Sequence, residues 1–213
     1  MSTIADLRKD YQLQSLSEDG VSADCMLQFM KWWDEAILAQ IDEANAMTLA
    51  TASSDGVPSA RIVLLKGISE NGFSFFTNYN SYKGQQLAEN PRACLVFFWK
   101  ELERQVRITG LVNKVSAEES DEYFNKRPVG SRIGAMASPQ SKVISSREWL
   151  EAEQHYFEQK FKDSQPSRPE HWGGYVVKPV TIEFWQGRSS RLHDRIQYTL
   201  LDDGNWKIER LAP

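Results

Sequence analysis

Apolar positions recur at helical spacing in only a few stretches of this chain; elsewhere they alternate or run together as strands do. Leu27, Met30, Trp33, Ile37, Leu38 and Ile41 fall three or four residues apart, with Asp24 or Ser22 placed to cap the start. They predict a helix that turns this stripe to the core. From Ala46 the period shortens. Segments 46–52, 57–68, 73–78, 92–100 and 104–115 read as strands, joined in part by Asp55-Gly56 and Asn71-Gly72, strong hairpin signals. A short helix over 81–89 interrupts them and stops before Pro91. Strands spaced mostly as hairpins predict an antiparallel sheet or barrel rather than alternating βαβ units.

Ser116 with Glu119, and Ser145 with Glu148, form capping boxes that predict two more helices; the second carries Trp149, Tyr156, Phe157 and Phe161 as a packing stripe. Residues 127–141 hold Pro, Gly and Ser without periodicity and predict a long loop. It is rich in hydrogen-bonding groups, among them Arg127, Ser131, Arg132, Gln140 and Ser141. Beyond it, 176–184 and 196–200 are β-branched and aromatic strands, and a last strand pair turns around Asp203-Gly204 and ends over 206–211. The expected fold is mainly β with flanking helices (α+β), residues 1–20 a mobile polar leader and 21–213 a single domain.

Composition narrows the function classes. With 41% hydrophobic and 11% aromatic residues the chain can fill a large core and still leave rings for stacking. Its net charge of -4 speaks against a general nucleic-acid binder, so any anion site must be local. Cys25 and Cys94 make neither a disulfide framework nor a zinc pattern. No apolar run approaches the ~20 residues of a spanning helix, and the first residues lack a signal-peptide core; a cytoplasmic chain without membrane contact is expected. There is no GxGxxG after a strand, no GxxxxGK[ST], no GxSxG, and no metal spacing around His155, His171 or His193. An enzyme built from these residues would borrow its chemistry from an organic cofactor.

The densest polar cluster is Glu183-Phe184-Trp185-Gln186-Gly187-Arg188-Ser189-Ser190-Arg191-Leu192-His193-Asp194-Arg195, read as one hairpin turn between strands. On a regular strand Arg191, His193 and Arg195 share a face. That is either a solvated edge or a site, and the hairpin alone does not decide. Arg61 and Lys66 stand at the ends of Arg61-Ile62-Val63-Leu64-Leu65-Lys66, on opposite faces if the strand is regular; they are phosphate grips or merely cations at wet strand ends. Thr77, Asn78, Ser81 and Lys83 open a helix whose free N–H groups favour an anion, or simply cap it. Gln105 in Glu103-Arg104-Gln105-Val106-Arg107 offers an amide to a heterocycle edge, or sits on an alternating surface. Tyr123 and Arg127 share a helical face near Ser131, as a second phosphate site or a surface pair.

Taken in order, Arg61 to Lys66, Glu103 to Val106, Tyr123-Phe124 with Arg127-Pro128, Gln140-Ser141, Phe184 to Gly187, Arg191 to Arg195 and the ending Arg210-Leu211-Ala212-Pro213 resemble the pyridoxine (pyridoxamine) 5'-phosphate oxidase family, from about Leu7 to the last residue. The resemblance implies an FMN-binding split β-barrel, a homodimer with FMN at the subunit interface. It implies oxidation of pyridoxine or pyridoxamine 5'-phosphate to pyridoxal 5'-phosphate, with dioxygen as acceptor and hydrogen peroxide as product. Under it, Arg61 and Lys83 hold the FMN phosphate with Thr77 nearby, and Gln105, Gln140, Ser141, Trp185 and Arg195 surround the rest of FMN. The segment Ile62, Val63, Leu64, Leu65 and the positions Phe76 and Tyr82 belong to the same cofactor set. Lys66, Tyr123, Arg127 and Ser131 hold the substrate phosphate. Arg191 and His193 are the catalytic candidates, with Leu192 between them at the substrate. Arg8, Lys9, Asp10 and Tyr11 form a cover.

Two positions depart from the family pattern: Phe76 stands where many members have Tyr, and Tyr82 where many carry a second cation beside Lys83. The rival expectation is a non-catalytic module that carries flavin or pyridoxal phosphate on the same barrel and has no need of Arg191 and His193.

Overall fold

The computed structural model describes residues 3–6 and 9–213. Its elements run α1 (Cys25–Leu38), β1 (Ala46–Ala52), β2 (Pro58–Leu64), β3 (Gly67–Ser69), β4 (Gly72–Asn78), α2 (Tyr82–Glu89), β5 (Arg92–Trp99), β6 (Arg104–Lys114), α3 (Ala117–Lys126), α4 (Val129–Ala137), α5 (Arg147–Lys160), β7 (Trp172–Gln186), β8 (Asp194–Leu200) and β9 (Trp206–Arg210). Backbone pairing orders the strands β2-β1-β5-β6-β7-β4-β3, with β8 on β7 and β9 on β8. The path has two ends and does not close, and the fold is mainly β with flanking helices as expected.

Contacts divide the chain into two compact units. The first gathers Met1–Leu49, Cys94–Gly110 and Pro179–Pro213. Its core is aromatic: Phe29 of α1 meets Phe97 at 5.3 Å between centroids, Trp32 meets Phe184 edge-on at 5.2 Å, and Phe184 meets Tyr198 at 5.5 Å. Each such ring removed from water contributes ~1.5–3 kcal/mol. Asp24 caps α1 by accepting from the backbone N–H groups of Met26 and Leu27. The expected core stripe of that helix is wrong: Leu27, Ile37 and Leu38 are exposed, whereas Cys25, Gln28, Phe29, Trp32 and Ala36 are buried. Both stripes are apolar, and the larger rings win the interior.

β7, β8 and β9 form an antiparallel meander in this unit, with Trp185 opposite Arg195 and Gln186 opposite Asp194. The leader is tied to it. Gln12 and Leu13 donate their backbone N–H groups to Glu103, and Leu16 donates to Asp194.

The second unit comprises Ala50–Ala93 and Leu111–Lys178. Here β4 pairs with β7 from Phe73↔Val177 to Asn78↔Trp172, and β3 pairs with β4. Gly174 is required in this ladder, because a Cβ there would sit 2.7 Å from the Phe76 ring. The strand expected over 57–68 breaks in two. Leu65 turns inward and the Lys66 N–H donates to Ser74 O at 2.8 Å, so the chain leaves the line of β2 to join β4. Residues 127–141, expected as a loop, contain helix α4. Pro128, whose missing N–H costs nothing there, stands at its start, while Arg132, Ile133 and Ala137 bury one face. Gly130 and Gly134 lower the helix propensity and hide that face in the sequence. The cap of α5 is Ser146, accepting from Trp149 N, not Ser145. Its aromatic stripe is not core packing either: no residue of α5 is buried, and Trp149 and Tyr156 are exposed.

Candidate functional site: a cation-lined cavity and a basic turn

Within the second unit a cavity of about 710 Å³ lies between β2, β4, the start of α2, and helices α3 and α4. Ligand pockets commonly fall in this size range. Arg61, Lys66, Lys83 and Arg127 line it, together with Thr77, Asn78, Tyr123, Ser131, Ser138 and Gln140, and no Asp or Glu is among the lining residues. Four cations without a carboxylate define a place for anions. The strand break explains why Arg61 and Lys66 serve one cavity instead of pointing apart, as a regular strand would have them.

Lys83 is 8% exposed. Its Nζ donates to Thr77 Oγ1 at 3.2 Å, Gln140 Oε1 at 3.3 Å and Ser81 Oγ at 3.5 Å, all neutral partners. Burial, followed by the nearby Arg61 charge, pulls its pKa down to about 8. Arg61 donates through Nη1 to Thr51 Oγ1 and through Nη2 to Ser59 Oγ, each at 2.6 Å.

At the other pole Arg127 lies over Trp172, 4.6 Å from its ring centroid, while Phe76 and Tyr123 stack at 3.9 Å. Burial lowers the Arg127 pKa and raises that of Tyr123. Arg127 Nη1 is buried without a hydrogen-bond partner among the described residues. A buried guanidinium N–H left unsatisfied by the protein fits a phosphate oxygen. Arg61 and Lys83 lie close enough to feel each other's charge, as do Tyr123 and Arg127, and the wall as a whole suits anionic groups.

The first unit holds a smaller cavity, about 430 Å³, lined by Lys9, Asp10, Tyr11, Arg188, Ser190, Arg191 and His193. The expectation that Arg191, His193 and Arg195 share a strand face is not met. β8 begins at Asp194, Ser189–Arg191 form a single 3-10 turn, and Ser190 and Arg191 both adopt left-handed backbone (φ 56° and 60°). The Arg188 backbone N–H donates to His193 Nδ1 at 3.0 Å, so Nε2 carries the proton of the neutral ring. Burial, then the Arg191 charge, lowers the His193 pKa. Trp185 lies 4.6 Å from the His193 ring, and Tyr11 meets Trp185 edge-on at 5.7 Å. A Cβ on Gly187 would come within 2.7 Å of the Tyr11 ring, which makes glycine necessary to this approach.

Other expected site residues distribute as follows. Ile62, Val63, Leu64 and Phe76 line the large cavity; Leu65 is buried and off its wall. Tyr82 is half-exposed and also off the wall, though its hydroxyl acts electrostatically on Arg61. Ser141 is exposed in left-handed backbone beside Gln140. Gln105, Trp185 and Arg195 are half-buried in the first unit, and Leu192 is exposed there. Arg8 lies outside the described residues. Trp172 escaped expectation as a site group, and Glu183 and Arg188, though within the dense polar cluster, were given no role of their own; the Gly173-Gly174 pair after Trp172, marking a close backbone approach, was the available signal for the first.

An open antiparallel sheet with a cation-lined cavity against one strand end defines the class of FMN-binding split-barrel proteins. An FMN-binding protein from Nostoc punctiforme related to pyridoxamine 5'-phosphate oxidase shares the fold with a TM-score of 0.71 at 18% identity, over 94% of this chain and all of its own. The structure of PhzG from Burkholderia lata, solved with tetrahydrophenazine-1-carboxylic acid, is closer, with a TM-score of 0.87 and 31% identity over 95% of this chain and 100% of that one.

Residues 33–161 match the family model described as pyridoxamine 5'-phosphate oxidase, and residues 172–213 match that of the pyridoxine 5'-phosphate oxidase C-terminal dimerisation region. A pyridoxine/pyridoxamine 5'-phosphate oxidase from Nostoc punctiforme is 61% identical over 211 residues, 99% of each chain; one from Cupriavidus necator is 57% identical over 213 residues, the whole of both. The chain belongs to the pyridoxamine 5'-phosphate oxidase family, carries its dimerisation region, and is a flavin-dependent oxidase with FMN as cofactor. No helix among the described residues is long and apolar enough to cross a membrane.

Proposed function

We propose that the chain oxidises pyridoxine or pyridoxamine 5'-phosphate to pyridoxal 5'-phosphate, with dioxygen as final acceptor and hydrogen peroxide as product, in the cytoplasm. The observation that carries this reading is the cavity with four cations, no carboxylate, and a buried Arg127 N–H that the protein itself leaves unsatisfied. A phosphorylated cofactor and a phosphorylated substrate need two such anchors.

When bound, FMN supplies a two-electron acceptor that dioxygen regenerates. The chain's task is placement. Arg61 and Lys83, with Thr77 and Gln140 beside them, grip the FMN phosphate; Gln105, Ser141, Trp185 and Arg195 complete its surroundings. Lys66, Tyr123, Arg127 and Ser131 grip the substrate phosphate. Fixing both ends turns a bimolecular encounter into a near-attack geometry. Arg191 and His193 face the substrate ring, with Leu192 between them. The neutral His193 offers its Nε2–H as a hydrogen-bond donor to the substrate, and Arg191 stabilises developing negative charge. Lys9, Asp10 and Tyr11 cover this side. FMN is bound at the interface of the homodimer.

Purified protein with added FMN should show a flavin spectrum. On aerobic addition of pyridoxine 5'-phosphate it should release pyridoxal 5'-phosphate and peroxide in equal amounts. A colourless protein that FMN does not reconstitute overturns the reading.

A further inference from the structure

We propose that Gln86, acting through the hydroxyls of Thr51 and Ser59, positions Arg61 for a phosphate. The inference rests on the reading that Arg61 holds the FMN phosphate.

Arg61 on β2 donates to Thr51 Oγ1 of β1 and to Ser59 Oγ of its own strand, both at 2.6 Å. Each hydroxyl has one proton, and each sends it to the same acceptor: Thr51 Oγ1 and Ser59 Oγ both donate to Gln86 Oε1 of α2, again at 2.6 Å. The amide is oriented by its own Nε2, turned toward Val57 O at 3.5 Å. Gln86 is 2% and Thr51 4% exposed, so water does not compete for these bonds.

The direction of the hydrogen bonds is the point. A hydroxyl whose proton is taken by Gln86 can only accept from the guanidinium. One carbonyl oxygen thereby fixes the polarity of two hydroxyls, and the two hydroxyls fix the plane of the guanidinium fork. A carboxylate in place of Gln86 would orient Arg61 as firmly but would neutralise it, and the anion would then compete with an internal ion pair. Lys83 is held in the same way by Thr77, Ser81 and Gln140.

The test separates phosphate binding from flavin binding at large. Full-length Thr51→Val, Gln86→Leu and Thr51→Ser variants are titrated with FMN and with riboflavin, which lacks the phosphate, by quenching of flavin fluorescence. Thr51→Val and Gln86→Leu should each weaken FMN by roughly tenfold, the loss expected for a disturbed charge-assisted hydrogen bond, with riboflavin affinity changed less than about twofold. Thr51→Ser, which keeps the hydroxyl, should restore FMN binding.

An equal loss for both flavins, or no loss, overturns the proposal. Should Gln86→Leu lower the melting temperature, Thr51→Val, of the same shape in the same strand, still decides. Arg61→Met serves as the reference. If that variant keeps the wild-type ratio of FMN to riboflavin affinity, the underlying assignment of Arg61 fails; if it loses the ratio while Thr51→Val and Gln86→Leu keep it, only the positioning role fails.

Discussion

The Glu183 carboxylate accepts two hydrogen bonds from the Arg195 guanidinium, at 2.9 and 3.1 Å, and Arg107 adds a third contact at 3.2 Å. Glu183 is 6% exposed, and its hydrogen bond raises the Arg195 pKa. A buried carboxylate with two guanidinium partners holds a strand-end arginine that the flavin reading requires to stand still. Glu183→Gln keeps the shape and removes the charge, leaving one guanidinium with a weaker acceptor. Urea unfolding should show a loss of ~1.5–3 kcal/mol with an unchanged slope. An unchanged midpoint would mean that solvent already screens the pair.

Lys83 makes FMN binding depend on pH. Below pH about 8 this lysine is charged in both the folded and the unfolded chain, and its burial cost is fully present. Between about 8 and the ordinary 10.5 the unfolded chain binds more protons, so stability rises with pH in that window. A phosphate restores the proton, and FMN affinity should therefore fall as pH climbs above about 8. Titrations across that range, with riboflavin as control for the ring, should show the slope for FMN alone. In Lys83→Met the slope should vanish.

Arg127 predicts a split between binding and colour. Arg127→Met removes the orphaned N–H and the cation over Trp172. The KM for pyridoxine 5'-phosphate should rise by more than about tenfold, the scale of a lost charged hydrogen bond, while the flavin spectrum stays as it is. Loss of flavin instead would move Arg127 to the cofactor phosphate.

His193 should report its neighbour. Burial and Arg191 both hold the imidazole below its ordinary 6.5, so it is neutral at pH 7. Arg191→Met removes one of the two causes, and the acid limb of kcat/KM should move to higher pH, with lower turnover and the flavin spectrum retained. An acid limb that does not move would show that His193 is not the group titrating.

The strand pattern of the sequence carries most of this architecture. Ala46–Ala52, Arg92–Trp99 and Arg104–Lys114 appear where alternation and turn residues put them. What failed did so for local reasons. Two apolar stripes on α1 compete for the core, and only packing chooses Phe29 and Trp32 over Leu27 and Ile37. Gly130 and Gly134 disguise α4 as a loop. The single residues that line the large cavity were legible as types, through arginine, lysine and hydroxyls near strand ends. Their convergence was not, because it depends on the break after Leu64 that brings Lys66 to the wall Arg61 already occupies. Gln86, Thr51 and Ser59 were invisible, since neutral residues acquire a role only through the direction of their protons.

Ser190 and Arg191 keep left-handed backbone without being glycine, at a cost of about 1–3 kcal/mol each that the rest of the fold absorbs. A chain selected for heat resistance alone would relax this turn first, since Ser190→Gly removes part of the conformational penalty at no loss of contact in the core. Such a variant should melt higher or unchanged and turn over more slowly, its Arg191 free to wander. Thermal tolerance and catalytic aim are set against each other at one dipeptide, so breeding this enzyme for durability runs directly through the residue proposed to face its substrate.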